Sequence, residues 1–280
     1  MDGDLISSAL AARLREFQAS GALLSVLTGA GISAASGIPT FRGKEGYWVV
    51  GSRNYQPQEI STLDMFERQP LEVWKWFLFR KTMCAKARPN DGHHAIVELE
   101  RIFGDRFRLI TQNVDGLHQA AGSSEERLLS IHGDLRHARC SDLCSFDLYE
   151  FPEIPKQRGE DLTPAEIERL RCPQCGEYLR PHVLWFDETY NEPFYKLDTT
   201  LAAAGRTGLL VIVGTSGATN LPFRIVDGLL RNSKVTLIDI NIEEDSLFGK
   251  MLAPHENGFP IVAESSAALG ELVRFFRTEQ

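Results

Sequence analysis

The sequence predicts an α/β fold: a Rossmann-like parallel sheet with helices on both faces, plus a small zinc-binding and helical module. Three observations predict it. Continuous apolar runs alternate with helix-period segments, the pattern of parallel strands buried on both faces. Polar or small residues stand at the C-terminal end of one apolar run after another: Thr28-Gly29, Gln112-Asn113, His132, Gly214-Thr215-Ser216 and Asn241. Ligands bind at that edge of such sheets. Two polar stretches interrupt the alternation, and the second of them carries four of the five cysteines.

Residues 5–17 place Leu5, Leu10, Leu14 and Phe17 at helical spacing, and residues 23–27 (LLSVL) form the first buried strand. The stretch TGAGISAASGIPTFRG (residues 28–43) follows it directly. Gly29-x-Gly31-x-x-Ala34 fits the dinucleotide fingerprint in its Gly/Ala form, in which bare backbone can approach a pyrophosphate. An ordinary tight turn is the competing reading. Residues 44–61 show no period and read as a long loop. Residues 70–83 (PLEVWKWFLFRKTM) form a helix with Pro at its start, and residues 91–103 form another. Strands follow at 107–111, 128–131, 209–213 and 235–240, Ile261 and Val262 close the sheet, and residues 267–276 form a last helix. A short helix over 164–170 sits inside the cysteine-bearing stretch. The resulting division assigns residues 1–42, 89–135 and 181–280 to the nucleotide-binding domain. Residues 43–88 and 136–180 make up the small module.

The 280 residues carry 43% hydrophobic and 24% charged side chains, the balance of a globular protein, and a net charge of −8. That charge makes nucleic acid an unlikely partner. The acidic N-terminus lacks the pattern of a signal peptide, and no apolar run is long enough to span a bilayer, so a cytoplasmic location without membrane association is expected.

Cys140-x3-Cys144 and Cys172-x2-Cys175 form two knuckles. Four thiolates close a tetrahedron around zinc with no open position, so one structural zinc per chain is expected; four unrelated thiols are the alternative. Cys84 lies on a helix as a packing residue. His132, just past a strand, is the natural candidate for a general base, and the other six histidines lack that setting. Asn113 and Asp115 offer an amide and a carboxylate at one strand tip, able to hold a carboxamide or a ribose, or to form an Asx turn starting a helix over 115–121. Val183, Trp185 and Phe186 offer an edge for an extended peptide, or an apolar crossing between modules.

Taken together, these segments resemble the sirtuins, in their bacterial-type form: GAGISAASGIPTFR (29–42), TQNVDGLH (111–118), His132-Gly133, the two cysteine pairs, RPHVLWF (180–186), Gly214-Thr215-Ser216 and Asp239-Ile240-Asn241. The resemblance implies an NAD-dependent protein lysine deacylase that acts on acyl-lysine proteins or peptides. Its products are nicotinamide, free lysine and 2′-O-acyl-ADP-ribose. It implies that Gly29, Ala30, Gly31, Thr40, Phe41 and Arg42 line the cofactor, with Phe41 shielding the reacting ribose carbon from water. Gln112, Asn113 and Asp115 would hold the nicotinamide ribose and carboxamide, and Gly214, Thr215, Ser216 and Asn241 the adenosine half. His132 would be the base, with Asn113 and Asp115 beside it. Val183, Trp185 and Phe186 would bind the acyl-lysine and its peptide.

The sequence also departs from the family pattern. Phe77-x-x-Arg80 stands where sirtuins that prefer acidic acyl groups carry Tyr-x-x-Arg; Arg80 could pair with an acyl carboxylate, and Phe77 could favour longer apolar groups. Asp187 replaces a common Gly, with a side chain that could crowd a docked peptide. Gly217-Ala218-Thr219-Asn220 replaces usually apolar residues. An ADP-ribosyltransferase or NAD hydrolase using the same pocket, or a non-catalytic NAD-binding module, are the alternative functions.

Overall fold

The computed structural model describes residues 5–38, 48–50 and 53–279. In chain order the strands are β1 (Leu23–Thr28), β2 (Trp48–Val50), β3 (Arg53–Tyr55), β4 (Phe107–Thr111), β5 (Leu128–Ser130) and β6 (Gly133–Cys140). They continue with β7 (Leu148–Glu150), β8 (Leu179–Val183), β9 (Thr207–Val213), β10 (Thr236–Asn241) and β11 (Gly258–Val262). Six of them form one parallel sheet in the order β11-β10-β9-β1-β4-β5.

The alternation of side chains along each strand divides the core into two layers. Leu24, Val26, Leu209, Val211, Val213, Ile238 and Ile240 point to one face. They meet the helices Ser8–Ala19, Asp91–Phe103 and Ser265–Thr278 through Leu10, Leu14, Ile96, Leu99, Leu272 and Phe276. Leu23, Leu27, Ile110, Leu210, Ile212 and Leu237 point to the other face, against Ala203, Ile225, Val226, Phe248 and Leu252. Helices therefore cover both faces of the sheet. The covering helices on the second face, Leu197–Ala204, Asn220–Leu230 and Leu247–Leu252, have no counterpart in the sequence reading.

A third cluster lies off the sheet and unites the two interrupting stretches. Trp74, Trp76, Phe77 and Leu78 of the helix Pro70–Cys84 pack with Leu135, Ala138, Cys140, Cys172, Leu179 and Trp185. The antiparallel sheet β7-β6-β8 frames this cluster, and the Trp74 indole donates to the Leu179 carbonyl at 2.7 Å. Residues 44–61 are not a plain loop. They contain the antiparallel pair β2-β3 and the short helix Pro57–Ile60, which has Pro at its first position and a Gln56–Glu59 capping box.

The four cysteines meet at one end of this module. The Cys140 and Cys175 sulfurs are 3.5 Å apart, those of Cys144 and Cys172 are 3.6 Å apart, and all four lie within 4.8 Å of one another. A tetrahedral zinc with Zn–S bonds of about 2.3 Å needs sulfurs about 3.8 Å apart, so the donor set fits structural zinc. Each knuckle turns through one left-handed residue, Leu143 or Gly176.

Two predictions follow from this architecture. Elemental analysis should find about one zinc per chain. Chelation or Cys175→Ser should lower the melting temperature by about 5 °C or more, and unchanged melting of metal-free protein would refute the structural role. The second concerns acid. Burial pushes His93 and His182 down to about 4 and His118 to about 3, from an ordinary 6.5. Between these values and 6.5 the unfolded chain binds protons that the folded chain refuses, so stability falls as pH drops through that window. The melting temperature should therefore decline steadily from pH 7 towards pH 4, and a flat profile would contradict the burial of these rings as neutral groups.

Candidate active site

The chain leaves β1 and builds one half of the sheet through β4 and β5. It then returns to the other side of β1 and builds the second half through β9, β10 and β11. The C-terminal ends of β1 and β9 are therefore the topological switch point, where a crevice opens in such sheets. Two loops meet there. The Gly29 N–H donates to Val213 O at 3.0 Å, and the Gly31 N–H to Gly214 O at 2.8 Å. A Cβ on Gly31 would lie 2.7 Å from both the Cα and the carbonyl oxygen of Gly214, and Gly214 itself has φ +57. The glycines thus serve a close loop-to-loop contact, and the Gly31 N–H is already used within it.

β4 delivers the next group. The Gln112 N–H donates to Thr28 O at 3.0 Å, which carries the β1–β4 pairing one residue past the strand. Its side chain spans the crevice: Nε2 donates to Thr215 Oγ1 at 2.9 Å, and Oε1 accepts from the Thr219 hydroxyl at 2.8 Å. Asn113 is buried, with Nδ2 donating to Gly29 O at 3.0 Å and to Ser33 Oγ at 3.3 Å. Ser33 in turn donates to Asp115 Oδ2 at 2.8 Å, while Asp115 Oδ1 accepts the Leu117 N–H at 2.9 Å. The Asx turn and the strand-tip amide–carboxylate pair coexist, and the helix that follows is Leu117–Ala121. Burial raises the Asp115 pKa; the Leu117 N–H, the Ser33 hydroxyl and the Arg80 charge oppose that rise.

His132 stands between β5 and β6. Gly133 has φ +76, and a Cβ there would lie 2.0 Å from the His182 carbonyl, so the residue after the histidine must be glycine for β8 to pair at this point. The ring is held at both nitrogens. Nδ1 lies 3.1 Å from the Gln112 carbonyl, and Nε2 lies 2.8 Å from Tyr190 Oη. A carbonyl can only accept, so Nδ1 carries the proton and Nε2 presents the lone pair. Desolvation pushes His132 down to about 4, against the opposing pull of the Gln112 carbonyl. The imidazole is thus neutral at pH 7, the form a base requires.

The remaining candidates lie on the small module's side. Val183 ends β8 at the edge of its sheet, and the Leu184 N–H donates to His132 O at 2.9 Å. Trp185 is only 1% exposed: it packs on Phe66 and Phe77, and the Arg180 guanidinium lies 3.4 Å over its ring. Phe186 is 54% exposed and offers a free apolar face. Arg180 forms a two-pronged pair with Glu188 at 2.7 and 2.6 Å. Phe77 is buried, and Arg80 is buried too, its pKa lowered by desolvation and supported by Asp115. The Asp187 carboxylate accepts the N–H groups of Leu63 and Asp64 at 2.8 and 3.1 Å, capping the helix Leu63–Arg68.

Ala30, Gly31, Gln112, Asn113, Asp115, His132, Gly214 and Thr215 therefore gather around one crevice. Ser216 is exposed beyond it, and Asn241 Nδ2 reaches the Thr215 carbonyl at 3.5 Å. Thr40, Phe41 and Arg42 lie outside the described residues. Sequence reasoning did not single out Ser33, Tyr190 or Thr219. Ser33 sits within the Gly-rich motif and could have been noticed there. Tyr190 and Thr219 lie far from His132 along the chain; Thr219 was noted only within the departing stretch 217–220, and no local pattern marks Tyr190.

Residues 29–220 match the Sir2 family model. An NAD-dependent protein deacylase of Leptospira interrogans is 41% identical over 223 residues, covering 80% of this chain and 82% of its own length. One of Pyrococcus abyssi is 39% identical over 220 residues, covering 79% and 82%. Among solved structures, a Sir2 homologue in complex with NAD superposes with a TM-score of 0.76 at 32% identity, over 95% of this chain and 93% of that one. A Sir2 homologue variant bound to 2′-O-acetyl ADP ribose superposes with a TM-score of 0.74 at 33% identity, over 100% and 98%. The match runs through the glycine junction, the Asn113–Asp115 tip, His132 and both cysteine knuckles, and the chain belongs to the Sir2 family, the sirtuins.

Proposed function

We infer that the chain is an NAD-dependent protein deacylase, which moves an acyl group from a lysine of a protein or peptide substrate onto the ADP-ribose part of NAD. The observation that carries this reading is the neutral His132 ring, its lone pair fixed on Nε2, beside the Asn113–Asp115 tip at the switch point. When bound, NAD supplies a ribose carbon that loses nicotinamide and a hydroxyl that accepts the acyl group.

The residues divide the work by position. Ala30, Gly31, Gly214, Thr215, Ser216 and Asn241 border the half of the crevice suited to the adenosine and phosphate groups, with Thr40, Phe41 and Arg42 assigned to it by the family pattern. Gln112, Asn113 and Asp115 face the half suited to the ribose and carboxamide. Asn113 can exchange its bonds to Gly29 O and Ser33 Oγ for bonds to an amide. His132 is the base that takes up the charge of the proton leaving the ribose hydroxyl. Val183 and Phe186 receive the substrate chain, while Trp185 and Phe77 act from beneath as the packed floor of an acyl-lysine channel. Arg80, buried and near Asp115, supports pairing with the carboxylate of an acidic acyl group.

The described residues of the small module assigned to 43–88 and 136–180 would form the second wall of the cleft. Zinc serves only its fold. Among the described residues no helix is long and apolar enough to cross a membrane. The four clustered thiols need a reducing compartment to stay metal ligands, which supports a cytoplasmic location.

Mass spectrometry of a reaction with NAD and a panel of acyl-lysine peptides tests the reading. It should show acyl-ADP-ribose in step with released nicotinamide. Peptide-independent ADP-ribose would instead establish an NAD hydrolase, and NAD binding without turnover a non-catalytic module. His132→Ala should reduce acyl-ADP-ribose formation by about 10²- to 10⁴-fold while NAD still binds; unchanged turnover would remove His132 as the base. In the nucleotide-free protein, an NMR titration of the His132 ring should show its midpoint well below 6.5, near 4.

A further inference from the structure

The lone pair assigned above to His132 is not open to the crevice. Tyr190 Oη occupies it at 2.8 Å, with the two rings 5.8 Å apart and tilted by 35°. Because Nδ1 must carry its proton towards Gln112 O, the proton between Nε2 and Oη belongs to the tyrosine. An imidazole nitrogen has a single in-plane lone pair. With Tyr190 in place, a ribose hydroxyl cannot donate directly to Nε2.

Tyr190 is not a side chain that happens to lean on the histidine. Its ring packs against the apolar layer formed by Ile131, Leu210, Ile212 and Leu221. Its oxygen faces the Leu221 N–H. Thr219 donates its hydroxyl proton to Gln112 Oε1 at 2.8 Å, and the backbone carbonyl of the same Gln112 holds His132 Nδ1. Gln112 thus ties the ring of His132 to the loop after β9, and Tyr190 closes on that ring from its other nitrogen.

We propose that Tyr190 is a catalytic residue, the outer member of a two-proton relay that connects the ribose hydroxyl to His132. The proposal rests on the deacylase reading above and adds the path of the proton. The ribose O–H bond breaks and its proton bonds to Tyr190 Oη. In the same event the original Tyr190 O–H bond breaks and that proton bonds to His132 Nε2. The electron pair left on the ribose oxygen would form its bond to the acyl carbon, and the π pair of that carbon's double bond would move onto the heteroatom it is bonded to. The tyrosine is neutral before and after, and the imidazole becomes imidazolium, with Nδ1–H still on Gln112 O.

This relay avoids a free phenolate. Burial pushes the Tyr190 hydroxyl up to about 12, so it does not ionise by itself at neutral pH. Passing one proton as it receives another removes that need. The Leu221 N–H points a donor at the oxygen where negative charge grows, as electrostatic stabilisation requires, and leaves its other lone pair for the ribose proton. Asp115 is engaged by the Ser33 and Leu117 bonds described above.

Tyr190→Phe keeps the ring and its packing while removing the hydroxyl. Two readouts are needed, one of them without NAD. In the nucleotide-free variant the 15N signal of His132 Nε2 should move towards that of an unbonded imidazole nitrogen, and the ring's titration midpoint should rise, because the lost donor had favoured the neutral form. In single turnover, acyl-ADP-ribose formation should fall by about 10- to 100-fold, more than nicotinamide release does. The proton inventory in mixed H2O and D2O should change from a curve requiring two protons to a straight line for one. An unchanged Nε2 signal, an unchanged inventory, or a rate equal to or above wild type would overturn the relay. A faster rate would show that Tyr190 blocks the base. Full turnover by His132→Ala would instead overturn the deacylase mechanism itself, so the two failures are separable. The melting temperature of Tyr190→Phe, expected within a few degrees of wild type, excludes a general loss of fold.

Discussion

The structure depends on one close approach: the loop after β1 laid against the loop after β9, with no room for a side chain between them. Gly31 and Gly214 are in van der Waals contact through their backbones, and their hydrogen bond continues the β1–β9 pairing beyond the strands. Everything that gathers at the crevice is referenced to this junction. Asn113 bonds to Gly29 O, Gln112 bonds to Thr28 O and Thr215, and Asn241 leans on the Thr215 carbonyl. A methyl group at Gly31 would move the two loops apart and shift each of these side chains together. The glycines of a nucleotide fingerprint are commonly explained by what they let the ligand do. Here their first service is to the protein itself.

The small module is fixed to this junction by its own chain. β6 begins immediately after His132, and β8 ends immediately before Leu184, whose N–H returns to the His132 carbonyl. The imidazole therefore sits at the hinge line between the parallel sheet and the antiparallel one. The zinc cluster is at the far end of β6, so its influence reaches the site through one continuous strand from Cys140 to Gly133. A structural metal bound there would thus steady the strand that begins beside His132.

Much of this was legible from residues alone. The strands β1, β4, β9 and β10 read clearly because their apolar runs end abruptly in polar residues. The helix Asp91–Phe103 read to its last residue because its apolar positions fall on one face. His132 stood out because it follows a strand. What escaped was of three kinds. The β2–β3 pair has strands of three residues, too short for a period. The helices Leu197–Ala204 and Asn220–Leu230 are rich in small residues or contain Pro222, and were passed over although Asn191 and Thr219 mark turns ahead of them. The partners of His132 escaped because they belong to the chain's three-dimensional closure: Tyr190 is 58 residues away and Gln112 is 20 residues away on the other side. Asp187 shows the limit from the opposite direction. The sequence marked it as a side chain in place of a common glycine, and only the structure shows that it caps a helix.

The Arg180–Glu188 pair is sheltered under Trp185, with the guanidinium 3.4 Å from the indole and both prongs engaged. Counter-ions do not reach such a pair as they reach surface charges. The net charge of −8, by contrast, is carried largely by exposed groups and is damped by electrolyte. Raising the ionic strength thus weakens the outer charges while the sheltered pair keeps its bonds.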